Sequence, residues 1–395
     1  MMKKIYLLFL ITVAFACGEP SKVETNSHES TGTANETTEL LVSKKLGDPL
    51  IYMDDHFEFL DLIALKTPEE IIISEITKAI LEDSEIFIHD KKLSSLHHFN
   101  LNGDYLKSFG ALGEGPGEFL DIGDFAVVGN KICIMSKSKK GLLFYDRATG
   151  VFLNEFRYDI YGDKIVHIGN DEFLVYTNFN VNDEHGSYNV FRIDSDGSVK
   201  EKYFPFDEDK QHSMVSMSGY LAKTGNSIYF GLPFDQFVFS YNKDEHNFFP
   251  KYSTDMLSQY ILENKGDFDA ILKPEVLIKS FGGESWNGST YFETNSKIYL
   301  SLYDLSSLKN VLIDKNTDEV VTISKKSENP FFKLIDDPVM MAENNELFFP
   351  IYGEKVLSDE YFTYTQNSDF QRKLIDKRDS YEKDHSYFLL KTRIK

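Results

Sequence analysis

Residues 98–119 read HFNLNGDYLKSFGALGEGPGEF, and this stretch decides the fold. It is a strand, an Asn102-Gly103 turn, a second strand, and a glycine- and proline-punctuated loop that ends in a new apolar run. Asn-Gly between two apolar runs is a strong hairpin signal, and a type I′ turn would place both central residues at positive φ. The unit recurs. Gly103, Gly150 and Gly197 stand 47 residues apart, each in the turn of a similar segment: FNLNGDYLKSF, FYDRATGVFLNEF and FRIDSDGSVKEKYF. A fixed period of this size with about four short strands per unit is the signature of a β-propeller.

Working outward, five complete blades are expected over Glu75–Phe109, Phe125–Phe156, Lys164–Phe204, Tyr220–Pro250 and Ser289–Ser324. The C-terminal set, Val339–Ala342, Glu346–Ile351 and Tyr387–Lys391, has only three strands. The missing outer strand is available at the start of the domain, where Phe57–Leu65 reads FEFLDLIAL and otherwise lacks a partner. Pairing it with the last blade removes the open seam. The expectation is an all-β, six-bladed propeller over residues 46–395, closed by an N-terminal strand. Two partly helical insertions, Thr254–Trp286 and Gly353–Ser386, emerge on one face, since blade-to-blade connections and second-to-third-strand loops leave a blade on the same side. Long excursions of this kind are usually functional.

The N-terminus gives an address. Lys3 and Lys4 precede the apolar run Ile5–Ala16, which is too short to span a bilayer and ends at a small residue before Cys17. That is a secretory signal, residues 1–16. Gly18–Leu40 is rich in Glu, Ser, Thr and Asn, so residues 17–45 are expected to be a disordered tether. Cys17 and Cys133 are the only cysteines, which excludes a disulfide framework or a cysteine zinc site. Cys133 falls in the apolar run KICIMS and is expected to be buried. The net charge of −21 repels phosphate backbones and argues against nucleic-acid binding.

With the signal, the period and the Asn102–Phe119 segment in hand, the chain resembles the six-bladed β-propeller lipoproteins of Bacteroidota, related in architecture to NHL-repeat propellers. The resemblance implies lipidation of Cys17 and attachment to the outer membrane or cell envelope through that lipid. Ala14 stands where the lipoprotein box usually has a branched aliphatic residue, with Val13 one position earlier. Periplasmic and surface exposure both remain open, and the resemblance brings no catalytic residues with it.

The GEGPGEF loop joins strand to strand and lacks the helix N-terminus of a phosphate cradle. Its glycines serve a sharp climb between blades, with Glu118 accepting loop N–H groups. Asp194-Ser195-Asp196-Gly197 is a hairpin turn without the distal Glu and helices of a calcium loop. Neither HExxH nor GxSxG occurs, and His97 and His98, adjacent on a strand, face opposite ways. Candidate ligand-binding residues lie where second strands end on the decorated face, or on the insertions: Lys139, Tyr176, Asn178, Asp183, His185, Asp235, Gln236, Trp286, Tyr303, Asp304 and Tyr352. Aromatic faces with amide and carboxylate acceptors suit a glycan or peptide. The expected function is a binding or scaffold module for a glycan, peptide or envelope protein, without a cofactor. The alternative is an NHL-like lyase or lactonase with calcium or another divalent metal held by Asp183, His185, Asp235 or Asp304. A purely structural role in an envelope complex is the third reading.

Overall fold

The computed structural model describes residues 39–40, 50, 52–208, 218–254, 257, 260, 263–264, 286–303, 308–323, 331–342, 344–361, 369–381 and 387–395. The expected signal, Cys17, Asp304 and most of the 254–286 insertion lie outside them.

Six four-stranded antiparallel blades surround an axis. Blade one comprises Ile76–Glu82, Glu85–Asp90, Ser95–Asn100 and Tyr105–Ser108. Blade two comprises Asp124–Val128, Lys131–Ser136, Gly141–Asp146 and Phe152–Arg157, and blade three Lys164–Gly169, Glu172–Tyr176, Tyr188–Asp194 and Val199–Pro205. Blade four is Tyr220–Thr224, Ser227–Gly231, Phe237–Asn242 and Asn247–Ser253; blade five is Trp286–Glu293, Lys297–Tyr303, Leu308–Asp314 and Val320–Ile323. Blade six takes Met340–Ala342, Glu346–Tyr352 and Tyr387–Ile394 from the C-terminus and its outer strand, Phe57–Ala64, from the N-terminus. The closing register runs antiparallel from Phe57 opposite Ile394 to Ala64 opposite Phe388.

The packing explains why the middle strands read as continuous apolar runs. Successive side chains point to opposite faces, and each face meets a neighbouring blade. Ile86 and Ile88 pack toward blade six, whereas Phe87 between them packs toward blade two. Ile132 and Ile134 face blade one; Cys133 and Met135 face blade three. Hydrophobic clusters fill all six junctions, and the molecule has no single central core. Outer strands lack a second neighbour, so Phe152–Arg157 is largely exposed. Cys133 is fully buried in its strand.

The recurring turn differs from the type I′ expectation. Gly103 has φ +79°, but Asn102 stays outside the left-handed region. The Gly103 N–H donates to the Asn100 carbonyl at 3.1 Å, Asn100 Oδ1 accepts from the N–H groups of Asn102 and Asp104, and the register slips between His98 and Phe99. This is a type I turn followed by a left-handed glycine in a bulge. Gly103 also faces the ring's closing joint: a Cβ there would lie 2.0 Å from the Ala64 carbonyl oxygen. At Gly197 the equivalent distance to the Arg157 carbonyl oxygen is 2.4 Å. Gly103 and Gly197 therefore serve both a turn and a close blade-to-blade approach.

The chain's entry continues along the outer edges. Glu39–Leu40 pairs in parallel with Tyr252–Ser253 of blade four, and the Leu50 N–H donates to the Thr322 carbonyl of blade five at 2.7 Å. The second insertion is helical at Gly353–Leu357 and Asp369–Asp379. It was expected on the rim of the central channel. Its longer helix instead folds outward onto the closing strand: Phe370 meets Phe59 edge-on at 5.6 Å, Lys377 pairs with Asp61 at 3.0 Å, and Tyr381 OH donates to the Leu62 carbonyl at 2.6 Å. The apolar stripe of that helix is satisfied by the flank of blade six, so it acts as a clasp on the ring closure.

Candidate binding channel

The axis is occupied by a cavity of about 1,090 Å³ lined by the first strands of all six blades. Each first strand starts at the face where blade-to-blade connections arrive, so its opening residues form the mouth. Glu75 in blade one, Asp124 in blade two, Asp163 in blade three and Asp336-Asp337 before blade six all stand there.

Asp124 and Asp163 bind neighbouring blades together. Asp124 Oδ1 receives the Lys78 ammonium at 2.8 Å, while Oδ2 accepts the Ile165 N–H at 2.8 Å. One side chain thus joins blades one, two and three. Lys78 Nζ also donates to the Phe125 carbonyl at 2.8 Å. Asp163 repeats the device one blade further, pairing with Lys137 at 2.8 Å and accepting from Ser218 Oγ at 3.0 Å. Burial pushes the Asp163 carboxyl up, but Lys164, Lys137 and Ser218 outweigh it and hold it below the usual carboxylate range. Asp121 closes the loop after blade two's second strand, accepting from Ser136 Oγ and from the N–H groups of Lys137 and Ser138.

His89, on blade one's second strand, lines the same cavity although the residue is only 3% exposed. Its Nδ1 lies 3.3 Å from Thr77 Oγ1, and its ring meets Phe125 edge-on. Burial lowers its pKa to about 4, so the imidazole is neutral at pH 7. Nε2 has no hydrogen-bond partner among the described residues.

Of the residues expected from sequence, Asn178 and Tyr352 line this cavity. The Tyr352 ring lies 4.6 Å from that of Tyr387, tilted by 45°, and the Tyr387 hydroxyl donates to the Ser74 carbonyl. Tyr176 is wholly buried; its hydroxyl donates to Asn178 Oδ1 at 2.7 Å and accepts the Gly219 N–H at 3.2 Å, and burial pushes it well above the usual phenol range. It is a strut between blades three and four. Lys139 lies away from the axis beside a smaller cavity of about 310 Å³, tying the Gly115 carbonyl (3.0 Å) to Glu155 (2.9 Å). Asp183 is exposed on the loop after blade three's second strand. His185 turns outward against Phe191, with its carbonyl accepting from Lys202 of the outer strand. Asp235 is buried, accepting the Phe237 N–H through Oδ1, and its carbonyl accepts from Asn287 Nδ2 at 3.2 Å. Gln236 meets Thr254 through its carbonyl. Trp286 and Tyr303 begin and end paired strands of blade five, and Asp304 lies outside the described residues. No three His, Cys, Asp or Glu side chains among the described residues are grouped to hold a metal ion. In the GEGPGEF loop, Glu118 Oε2 accepts the Gly115 N–H at 2.9 Å as its sequence suggested.

Sequence reasoning missed Lys78, Asp124 and Asp163 because it searched the ends of second strands, one strand spacing of about 4.8 Å further from the axis; His89, near the end of blade one's second strand, and Tyr387, at the start of blade six's third, were outside the candidates. A signal was available. Ser74-Glu75, Gly123-Asp124, Gly162-Asp163 and Asp336-Asp337 each place an acid just before or at the opening of a first strand.

Fold and channel together define a six-bladed β-propeller with a polar axial mouth. The chain belongs to the family described as Domain of unknown function (DUF4934), whose pattern matches residues 40–391. It is similar in structure to a protein of Bacteroides fragilis NCTC 9343 described as exported, with a TM-score of 0.71 at 17% identity, covering 90% of this chain and 99% of that one. A DUF4221 family member from Bacteroides vulgatus gives 0.47 at 9% identity over 86% of this chain and 98% of that one. BamB from Moraxella catarrhalis gives 0.39 at 12% identity over 74% and 75%. The first likeness shows the shared fold. No curated protein matches the chain in sequence. Among the described residues no helix is long and apolar enough to cross a membrane.

Proposed function

We propose that this protein is an exported, lipid-anchored binding module of the cell envelope that takes its ligand at the mouth of the axial channel. The observation that carries the reading is the cavity of about 1,090 Å³, comparable to ligand sites of other proteins, with charged and hydroxyl side chains from several blades converging on its rim. Export and the Cys17 anchor rest on the signal sequence and the resemblance to Bacteroidota propeller lipoproteins; the exported B. fragilis relative supports the address. The net charge of −21 makes a nucleic acid a poor ligand, leaving a glycan, a peptide or an envelope protein.

The test is thermal unfolding of the detergent-extracted mature protein against glycans, peptides, calcium and chelator, with wild type beside Ser289→Trp. Ser289 lines the channel on blade five, so the indole should block the bore. A ligand-specific rise in melting temperature that the variant loses supports the channel. A rise that the variant keeps places the ligand elsewhere, and a melt lowered by chelator moves the reading to a metal enzyme. Anchoring is tested separately: Cys17→Ser should release the protein from the membrane fraction.

A further inference from the structure

Blade two presents an outer edge of a kind that the other blades cover or protect. The outer strands of blades four, five and six are overlaid by the chain itself: Glu39–Leu40 pairs with blade four, the Leu50 N–H donates to the Thr322 carbonyl of blade five, and the Asp369–Asp379 helix lies on blade six. Blade one's outer strand is only four residues long, carries Lys107 and takes Lys66 beside its start, where the Tyr105 N–H donates to the Lys66 carbonyl at 3.3 Å. Blade three's, Val199–Pro205, carries Lys200 and Lys202 and ends in proline. Short length, lysine and proline are the usual devices against edge-to-edge pairing. Blade two's outer strand, Phe152–Arg157, has none of them: it reads FLNEFR over six residues, and no described strand pairs with its outer side. Leu153 and the preceding Val151 are exposed, and Glu155 is neutralised by Lys139. The Tyr158 N–H turns inward to the Lys140 carbonyl, so by antiparallel alternation Arg157 and Glu155 turn their backbone groups outward.

A preformed pocket flanks the same residues. The cavity of about 310 Å³ is lined by Glu155, Phe156 and Arg157 of this strand together with Leu120, Leu142 and Leu143. The GEGPGEF loop forms another part of its wall and is pinned at three points: Glu118 accepts the Gly115 N–H, Tyr145 OH donates to the Gly117 carbonyl at 2.9 Å, and Lys139 donates to the Gly115 carbonyl. Outward backbone groups beside an apolar pocket are what holds an added strand, the first giving affinity and the second side-chain selectivity.

We propose that the outer edge of blade two is a docking site for an extended, positively charged segment of a partner protein, which adds a fifth strand and places an apolar side chain in the pocket. Blade four shows that an outer edge of this ring takes a fifth strand, since Glu39–Leu40 completes a five-stranded sheet there. The net charge of −21 selects the partner's sign: it attracts a cationic segment and sets two copies of this chain against each other. The site lies on the flank of the ring and shares no lining residue with the axial cavity.

The experiment is a fluorescence-anisotropy titration of the Cys17→Ser protein, which needs no detergent, with a labelled short peptide alternating lysine and leucine. Its glutamate–leucine counterpart and a version N-methylated along the backbone are run beside it. The lysine peptide should bind, with each of the other two about tenfold weaker or more. Leu153→Asp adds a charge that attracts this peptide but spoils the edge, and should weaken binding about tenfold. Leu120→Trp fills the pocket from an exposed position and should weaken it several-fold. Ser289→Trp, in the axial channel, should bind the peptide as wild type does. No binding of the lysine peptide, equal binding of the N-methylated version, or binding unchanged in both Leu153→Asp and Leu120→Trp overturns strand addition at this edge. Equal affinity for the glutamate peptide overturns the choice of a cationic partner. A dimer in sedimentation velocity that Leu153→Asp dissolves puts a second copy on the edge and overturns the partner assignment. Peptide binding lost in Ser289→Trp alone moves the peptide to the channel and overturns the edge site.

Discussion

Replacing Gly103 by alanine tests whether the 47-residue glycine period reports turn conformation alone or contact between blades. Gly103 and Gly129 both sit at positive φ, +79° and +57°, in hairpin turns. An alanine at either position pays the left-handed penalty of roughly 1–2 kcal/mol. The gain from a stiffer unfolded chain is common to both and cancels in the comparison. Their surroundings differ. A Cβ at Gly129 meets nothing within 4 Å, whereas at Gly103 it lies 2.0 Å from the Ala64 carbonyl oxygen and 2.9 Å from Ile63 Cγ2. Those atoms belong to the strand that closes the ring, and the Lys66 N–H just beyond it donates to the Gly103 carbonyl at 2.8 Å. A backbone oxygen cannot rotate away as a side chain can, so the joint must open, at an overpacking cost of about 1–3 kcal/mol. Gly129→Ala should therefore lose about 1–2 kcal/mol and Gly103→Ala about 2–5 kcal/mol, read from urea midpoints at constant slope. Hydrogen exchange should locate the added loss at Leu65, Lys66 and Tyr105. Equal losses in the two variants would refute the contact argument and leave the period as turn chemistry only.

Three further outcomes follow from the packing. The folded pKa of His89, about 4, lies below its unfolded value near 6.5, so the unfolded chain takes up the extra proton between them. Its contribution is full above pH 6.5 and is lost on acidification toward pH 4, amounting to about 3 kcal/mol. His89→Phe should flatten that part of the stability profile, and an unchanged slope would contradict the burial argument; His97, His98 and His167, also lowered by burial, supply the remainder. Phe370→Ala removes a buried ring from the clasp and should cost about 3 kcal/mol, with faster exchange in Phe57–Ala64 before the middle blades; uniform acceleration would mean the clasp does not guard the closure. Cys133, buried between blades with its thiol pushed up by burial, should resist a thiol reagent until the protein unfolds. Rapid labelling of the folded protein would contradict that placement.

Blade number, strand order and ring closure were legible in the chain because each depends on local pattern. Turn chemistry recurs at Gly103, Gly150 and Gly197, the middle strands read as apolar runs, and FEFLDLIAL is a strand whose only available partner is the incomplete last blade. The helix near Phe370 was legible too, but its destination was not. A helix's apolar stripe shows that it must be covered, not by what, and here blade six's outer strand covers it rather than the channel rim. The site followed the same division. Residue types around the mouth could be read from second-strand ends, and Asn178 and Tyr352 are there. Distance from the axis, however, is set by which strand of a blade carries a residue and by how blades pack. That placed Lys78, Asp124 and Asp163 at the mouth and turned Tyr176 into an inter-blade strut. The repeating unit is written in the chain, since hairpins and strand alternation are interactions over a few residues. Which side chains meet across blades and which face the channel depends on the closed ring, because those neighbours are tens of residues apart and come together only when it forms.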